Sequence, residues 1–133
     1  MRIEVDTRAP HPPSEQIADQ VRFAIASGRI ASGDRLPSVR GLAADALVNP
    51  NTVGKAYRDL EREGVLQTRP GDGVFVAPRA RERCVAKRDR ALAERLERVV
   101  REALSGGLDA KEIVTRVEKA VETRLRAGAG DHR

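Results

Sequence analysis

The sequence predicts an α+β fold, in which three helices and a β-hairpin are followed by two further helices. Three observations support this prediction. Apolar residues recur at helical spacing in five segments, Asn49-Pro50 separates two of these segments, and a glycine-rich turn divides two short strand-like runs. The chain has 133 residues, 40% of them apolar and 34% charged, so it can bury one modest core. This length excludes a large multidomain enzyme.

The first helix is predicted to begin near Pro13 or Ser14. Residues 3–6 alternate apolar and acidic side chains like a short edge strand, and the proline-rich segment 9–13 then blocks regular pairing. Gly28 is the predicted C-terminal stop of the helix. The apolar stripe of this helix consists of Ile17, Val21, Ala24 and Ile25.

Two further helices are predicted with only about two residues between them. Ser38 is a good N-cap for the first of them. Asn49 as N-cap and Pro50 at the first helical position then start the next helix, which closes at Gly64. This spacing is typical of a helix-turn-helix, whose second helix can enter a DNA major groove. The apolar residues of the shorter helix are Val39, Leu42, Ala43, Ala46 and Leu47.

A β-hairpin is predicted directly after Gly64. Residues 65–69 and 74–76 have the pattern of strands, and the tip at 70–73 (PGDG) provides the turn. A helix-turn-helix followed by a hairpin is a winged helix, so residues 1–78 are predicted to form a winged-helix DNA-binding domain. The tip glycines would let the backbone approach a narrow groove, although they also suit an ordinary tight turn.

Residues 79–127 are predicted to form an all-α region of two helices, followed by a frayed tail at 128–133. The first helix runs to Leu104, and Asp109 with Glu112 resembles a capping box at the start of the second. A two-helix hairpin buries only part of its apolar surface, so we expect a second copy of the chain to complete the burial in a homodimer. The alternative is that both helices fold back on the winged-helix domain. The predicted dimerisation residues are Val85, Leu92, Leu96, Val99, Ile113, Val117, Val121 and Leu125.

The helix that starts at Asn49 has an apolar face, formed by Val53, Ala56, Tyr57 and Leu60. Its other face is polar and basic, and the N-terminal part of such a face contacts base edges and phosphates in recognition helices. An ordinary solvated helix face has the same composition. Arg40 is placed to clamp a phosphate, and Arg69 to reach a phosphate or an A·T-rich minor groove. The full predicted DNA-binding set is Arg35, Ser38, Arg40, Asn49, Asn51, Thr52, Lys55, Arg58, Arg69 and Gly71.

The net charge of +5 does not by itself indicate DNA binding. Residues 1–78 carry 10 basic and 10 acidic side chains, whereas residues 79–133 carry 15 basic and 10 acidic ones. The DNA hypothesis therefore depends on where particular residues lie. A winged-helix module that binds an acidic protein partner is the alternative function.

The residue types present argue against several other functions. Phe23, Tyr57 and Phe75 are the only aromatic residues, too few to stack single-stranded bases. His11 and His132 lie near the termini without a cluster of metal ligands, and no phosphate or dinucleotide motif occurs, so no enzyme activity, metal or cofactor is expected. A single cysteine, no signal-peptide pattern and no long apolar run predict a cytoplasmic protein without a disulfide or membrane span.

Four motifs stand in a characteristic order and spacing, at residues 33–40 (GDRLPSVR), 48–53 (VNPNTV), 56–64 (AYRDLEREG) and 71–76 (GDGVFV). Together they resemble the GntR family of bacterial transcriptional regulators over about residues 13–77. The resemblance implies a winged-helix domain that binds double-stranded operator DNA, and a C-terminal region that dimerises. The short helical remainder resembles the YtrA-like subgroup, which lacks the large effector domain. One helical hairpin supplies too few walls for an effector pocket within a subunit, so no small-molecule effector is expected there, and a groove at a dimer seam is the alternative site.

The resemblance also implies roles for particular residues. The family's DNA-contacting positions correspond to Arg40, residues 49–52, Lys55 and Gly71. Many relatives have Arg at Gly54, so its absence implies a weaker or different contact. The turn that usually reads Leu-Gly is Ala46-Leu47 here, and Val74 replaces the commoner Thr. A repressor that binds a pseudo-palindromic operator and occludes a promoter is the expected function.

Overall fold

The computed structural model describes residues 1–130 and confirms the winged-helix fold followed by two helices. The helices are α1 (Pro13–Ala26), α2 (Val39–Ala46), α3 (Pro50–Arg62), α4 (Ala80–Ser105) and α5 (Ala110–Gly130), and the strands are β1 (Leu66–Arg69) and β2 (Gly73–Val76). The strands form an antiparallel hairpin in which Leu66 pairs with Val76 and Arg69 with Gly73. α5 continues past the predicted helix end at 127. Residues 131–133 of the predicted tail lie outside the described residues.

The chain divides into two compact units, and the boundary falls inside α4. The first unit ends at Arg90 and the second begins at Ala91, whereas the sequence predicts a boundary after residue 78. The boundary shifts because Cys84 of α4 is buried in the first unit's core and Val85 packs against that core. Burial also raises the pKa of the Cys84 thiol. Val85, one of the predicted dimerisation residues, is half-buried and packs against the core of the first unit.

The core of the first unit is built from the apolar faces of α1, α2 and α3 and from the base of the hairpin. Ile17, Val21 and Ile25, predicted from helical spacing, are completely buried. Each such side chain contributes about 1.5–3 kcal/mol through burial. The core therefore fixes which face of α3 is held inside and which face stays open. The other large, fully buried side chains are Leu42, Val53, Leu60, Val65, Val76 and Cys84.

Residues 3–6 form no strand, so the predicted edge strand is wrong. Side-chain amides of α1 take the place of a partner strand. Gln20 Oε1 accepts a hydrogen bond from the Glu4 N–H at 3.0 Å, and Gln16 Oε1 accepts one from the Asp6 N–H at 2.9 Å. The amide nitrogens of the same glutamines donate back to the carbonyls of Glu4 and Asp6. The alternation of the sequence reflects the burial of Ile3, not pairing with a strand.

Leu47 lies outside the helical stripe in which the sequence places it. α2 ends at Ala46, and Leu47 adopts a left-handed conformation (φ 58°) with 90% of its surface exposed. The left-handed residue ends α2 and turns the chain toward α3. A side chain with a Cβ atom in this conformation costs about 1 kcal/mol relative to glycine.

Leu47→Gly is expected to raise the free energy of unfolding by about 0.5–1 kcal/mol. Glycine adopts the left-handed conformation without steric cost, and the exposed leucine gives up no burial. Urea unfolding at one fixed protein concentration measures the change. Leu47→Ala is the matched control, because it keeps the Cβ atom and should change the unfolding free energy by less than about 0.5 kcal/mol. A loss of stability in Leu47→Gly would contradict the strain assigned to this turn.

Candidate nucleic-acid interface

α3 begins with the cap predicted from the sequence. Asn49 Oδ1 accepts a hydrogen bond from the Asn51 N–H at 2.8 Å, and Pro50 occupies the first helical position. Pro50 has no N–H, and the Thr52 N–H donates to the Asn49 carbonyl at 2.9 Å. The aligned peptide dipoles of α3 give this end a partial positive charge. Such an end suits a phosphate group.

The two faces of α3 separate as the helical wheel predicts. The buried face consists of Val53, Ala56, Tyr57 and Leu60. On the other face Asn51, Lys55 and Arg58 are exposed, and Thr52 is half-buried. The first unit thus holds α3 by its apolar side and leaves its polar side open.

Tyr57 anchors α3 to the segment that leads into α2. Its hydroxyl donates to the Pro37 carbonyl at 2.8 Å. Burial raises the pKa of Tyr57 to about 12, so the hydroxyl keeps its proton and continues to donate near neutral pH. Next in the chain, Ser38 Oγ accepts from the Gly41 N–H at 3.0 Å and caps α2. These bonds set the start of α2, and hence the exposed Arg40, relative to α3.

Arg58 lies back along α3 over Gly54. Its Nη1 atom is 3.2 Å from the position that a Cβ atom of residue 54 would occupy. Side chains on a helix lean toward its N-terminus, so the Arg58 guanidinium reaches the part of α3 that is expected to approach the bases. The sequence shows only that residue 54 is glycine where many relatives have arginine. The structure adds that Arg58, one turn further on, occupies the surface above Gly54.

The hairpin, or wing, gathers side chains from separate parts of the chain. The Arg69 Cζ atom lies 4.2 Å from the centroid of the Phe75 ring. Arg35 pairs with Phe75 through an isolated backbone bridge, and its guanidinium lies against Gly73. Gly71 at the tip is exposed and has a φ of 82°, which favours glycine. Sequence reasoning identified Arg35, Arg69 and Gly71 but missed Phe75, since its position two residues after Gly73 suggests only a strand residue.

The basic residues of the first unit fall into a paired and an unpaired group. Arg62 pairs with Asp59 at 2.6 Å, and both Arg22 and Lys87 pair with Glu63. Within residues 1–130, no ion pair involves the five basic residues of the predicted DNA-binding set. The equal numbers of acids and bases in residues 1–78 therefore do not cancel locally. The five residues of that set are Arg35, Arg40, Lys55, Arg58 and Arg69.

Glu63 joins three helices through one residue at the end of α3. Its carboxylate accepts from Arg22 Nε of α1 at 3.0 Å and from Lys87 Nζ of α4 at 3.1 Å, and its carbonyl accepts from Arg83 Nη1 at 2.9 Å. Burial alone would raise the pKa of the Glu63 carboxyl, but the hydrogen bonds and charges of Arg22 and Lys87 hold that pKa below its ordinary value. Sequence reasoning missed this cluster because its members are far apart in the chain.

The second unit leaves most of its apolar side chains uncovered. All α5 residues from Val114 to Ala127 are exposed, and Ile113 is half-buried. The described parts of α4 and α5 therefore do not cover each other's apolar faces. Leu104 and Val114 extend the predicted surface. Its six exposed predicted members, each 46–69% exposed, are Leu92, Leu96, Val99, Val117, Val121 and Leu125.

Among residues 1–130, no group of three or more His, Cys, Asp or Glu side chains is placed to hold a metal ion. None of the helices described is both long and apolar enough to span a membrane.

Known proteins resemble this chain over most of its length. The family model described as "Bacterial regulatory proteins, gntR family" matches residues 13–76. The "HTH-type transcriptional repressor YtrA" of Bacillus subtilis (strain 168) is 36% identical over 111 residues, covering 84% of this chain and 85% of that protein. A solved GntR family transcriptional regulator from Listeria monocytogenes matches with a TM-score of 0.70 and 29% identity, covering 86% of this chain and 98% of its own. AraR(DBD), solved in complex with operator ORX1, matches 58% of this chain and 99% of its own with a TM-score of 0.53 and 28% identity.

Proposed function

Because the chain belongs to the gntR family of bacterial regulatory proteins and is therefore a DNA-binding transcriptional regulator, we propose that it is a repressor that binds a pseudo-palindromic operator as a homodimer. The family assignment confirms the resemblance of the four motifs. It also confirms that the chain is a regulator and not an enzyme.

The observation that carries this proposal is the open face of α3, on which Lys55 and Arg58 have no acidic partners among the described residues. Asn51 and Thr52 lie at the N-terminal end of α3, where recognition helices contact base edges. Lys55, Arg58 and the neighbouring side chains of α2 would contact phosphates, which fix the register of a protein on the duplex. The operator bound by the similar AraR(DBD) supports DNA, and not an acidic protein, as the partner of this face.

A homodimer is supported by the uncovered apolar surface of the second unit. Contiguous exposed apolar surface of this kind marks an interface. Each leucine or valine contributes about 1.5–3 kcal/mol if a partner buries it fully. A two-fold dimer would present two copies of α3 to half-sites roughly 34 Å apart, or a multiple of that spacing, which explains why we expect a pseudo-palindrome.

Repression is supported by the similarity to YtrA of Bacillus subtilis, which is a transcriptional repressor. A dimer that covers a promoter excludes RNA polymerase by occupancy and needs no additional contact surface. We place the protein in the cytoplasm, where bacterial operators lie.

Arg40→Ala is expected to weaken binding to every DNA sequence by about tenfold, whereas Asn51→Ala is expected to change sequence preference. The two differ because a phosphate contact carries no base information and a contact to a base edge does. The probe is a duplex selected by the wild-type protein from a random-sequence library, and titration of the three proteins on it gives the affinities. Repeating the selection with each variant gives the preferences. Full affinity in Arg40→Ala would contradict its phosphate role, and an unchanged motif in Asn51→Ala would contradict base reading.

Gly54→Ala is expected to stabilise the fold and to weaken operator binding at the same time. Alanine favours a helix over glycine by about 0.5–1 kcal/mol. Its Cβ atom would lie 3.2 Å from Arg58 Nη1 and displace that guanidinium, so we expect a roughly two- to fivefold loss of affinity. Thermal unfolding and titration measure the two effects. In an Arg58→Ala background, Gly54→Ala should leave affinity unchanged, and an equal loss in both backgrounds would contradict the role given to Arg58.

A further inference from the structure

We propose that Phe75 and Gly73 position Arg35 and Arg69 as a wing arginine pair that reads a narrow, A·T-rich minor groove beside each half-site. The inference rests on the proposed operator binding and adds to it a preference for the flanking sequence. Phe75 is a positioning residue in this proposal, since it acts through the two arginines and does not itself touch DNA.

The first member of the pair is held by an aromatic ring. Arg69 pairs directly with Gly73 across the hairpin, and Phe75 lies two residues further along β2 on the same side of the sheet. The Arg69 guanidinium stacks over the Phe75 ring, with Cζ 4.2 Å from the centroid. The negative face of an aromatic ring attracts a cation at this distance. A long side chain on an exposed hairpin is thereby restricted to one surface.

The second member, Arg35, occupies space that a side chain at residue 73 would fill. The Leu36 N–H donates to the Val74 carbonyl at 2.8 Å and the Val76 N–H donates to the Asp34 carbonyl at 2.9 Å, so the backbone around Arg35 is tied to β2. Arg35 Nε and Nη2 lie 3.0 and 3.2 Å from the position that a Cβ atom of Gly73 would occupy. Gly73 therefore leaves the space in which the Arg35 guanidinium lies. Arg35 thus lies beside the same rung of the hairpin that Arg69 and Gly73 form.

The positive charges of Arg35 and Arg69 suit the narrow minor groove of DNA. Neither arginine of the pair makes an ion pair with any residue in the 1–130 range. Narrow A·T-rich minor grooves have an enhanced negative potential that attracts inserted arginines. Asp72 at the tip is exposed, and its carboxylate opposes deep insertion of the turn itself. The long arginine side chains at the base of the tip are therefore the groups that reach the groove.

The experiment compares flank preference in the wild-type protein and in Phe75→Leu, which keeps an apolar side chain and removes the aromatic face. Both proteins select duplexes from one random-sequence library. The wild-type protein is expected to enrich a paired motif with A·T-rich flanks. Phe75→Leu is expected to enrich the same paired motif with random flanks. Gln67→Ala is the matched control, because Gln67 is exposed, lies directly opposite Phe75 and should retain the flank preference.

Titration then separates minor-groove reading from other causes of the preference. The A·T flanks of the selected duplex are replaced by G·C or by inosine·cytosine pairs, which lack the guanine amino group in the minor groove. The wild-type protein should lose about tenfold in affinity on G·C flanks and little on inosine·cytosine flanks. In Phe75→Leu the loss on G·C flanks should shrink to about twofold. Arg69→Lys, which keeps the charge but not the planar group, should behave like Phe75→Leu and serves if that variant fails to fold.

Three outcomes would overturn the inference. Random flanks in the wild-type selection would contradict the role proposed for the wing arginine pair. A flank preference retained in both Phe75→Leu and Arg69→Lys would contradict it as well. Either result would leave the paired motif and the proposed function intact. A loss on inosine·cytosine flanks as large as on G·C flanks would exclude minor-groove reading. A wild-type selection that enriches no motif would overturn the proposed operator binding, and this inference with it.

Discussion

A protein in which Leu96 is replaced by glutamate is expected to be monomeric and to bind an operator duplex about two to four orders of magnitude more weakly than the wild-type homodimer. Leu96 is 56% exposed near the middle of α4, between Leu92 and Val99 on one apolar stripe. A carboxylate there would have to be buried against the partner without a countercharge. Without the second subunit, the two half-sites can no longer be bound by one particle, so the gain from bivalency is lost.

Sedimentation and titration on the selected duplex measure the two parts of this expectation. Arg98→Gln is the matched control, since it changes the net charge by the same amount on the opposite side of α4 and should leave assembly and affinity unchanged. A dimeric Leu96→Glu protein would show that the stripe is not the interface. A monomeric variant with full affinity would show that dimerisation does not contribute to operator binding.

Operator affinity is expected to fall steeply with salt, with a log-log slope of about −5 to −7. The slope follows from about six to eight phosphate contacts per dimer, contributed by the unpaired basic residues around α3 and the wing. Raising the salt concentration fourfold should therefore reduce affinity by about three to four orders of magnitude. Titrations of the selected duplex at several salt concentrations measure the slope.

Two arginines of the first unit provide a matched comparison within this measurement. Arg40→Gln should make the slope about two units shallower, since each subunit of the dimer loses one phosphate contact. Arg62→Gln should leave the slope unchanged, because Arg62 is already paired with Asp59. A flat salt response in the wild-type protein would contradict phosphate-dominated binding. Equal slopes in the two variants would contradict the division into paired and unpaired residues.

Local features of the structure are those that the sequence predicts well. The caps at Ser38 and Asn49, the glycine after α3 and the buried stripe of α3 each depend on residues within a few positions of one another. A helical period or a capping side chain is therefore enough to place them. The open face of α3 follows from its buried face, which is why the exposure of Asn51, Lys55 and Arg58 agrees with the wheel.

The features that the sequence does not predict depend on contacts between distant residues. The amide pairs of Gln16 and Gln20 with the N-terminal segment show no periodicity, so the segment resembles a strand. The wing depends on Arg35 meeting a hairpin nearly forty positions later. Val85 has the spacing of an exposed stripe, and its partial burial depends on the core of the first unit, which the local sequence does not reveal.

The first turns of α4 have a consequence for building chimeric regulators from this protein. Cys84 is part of the core of the first unit, and Lys87 pairs with Glu63. A winged-helix domain transferred to another protein should therefore end after Arg90 and not after residue 78. A graft cut at the earlier position would lack Lys87 as a counterion for Glu63, and it would lack Cys84 in the core to which Val65 belongs.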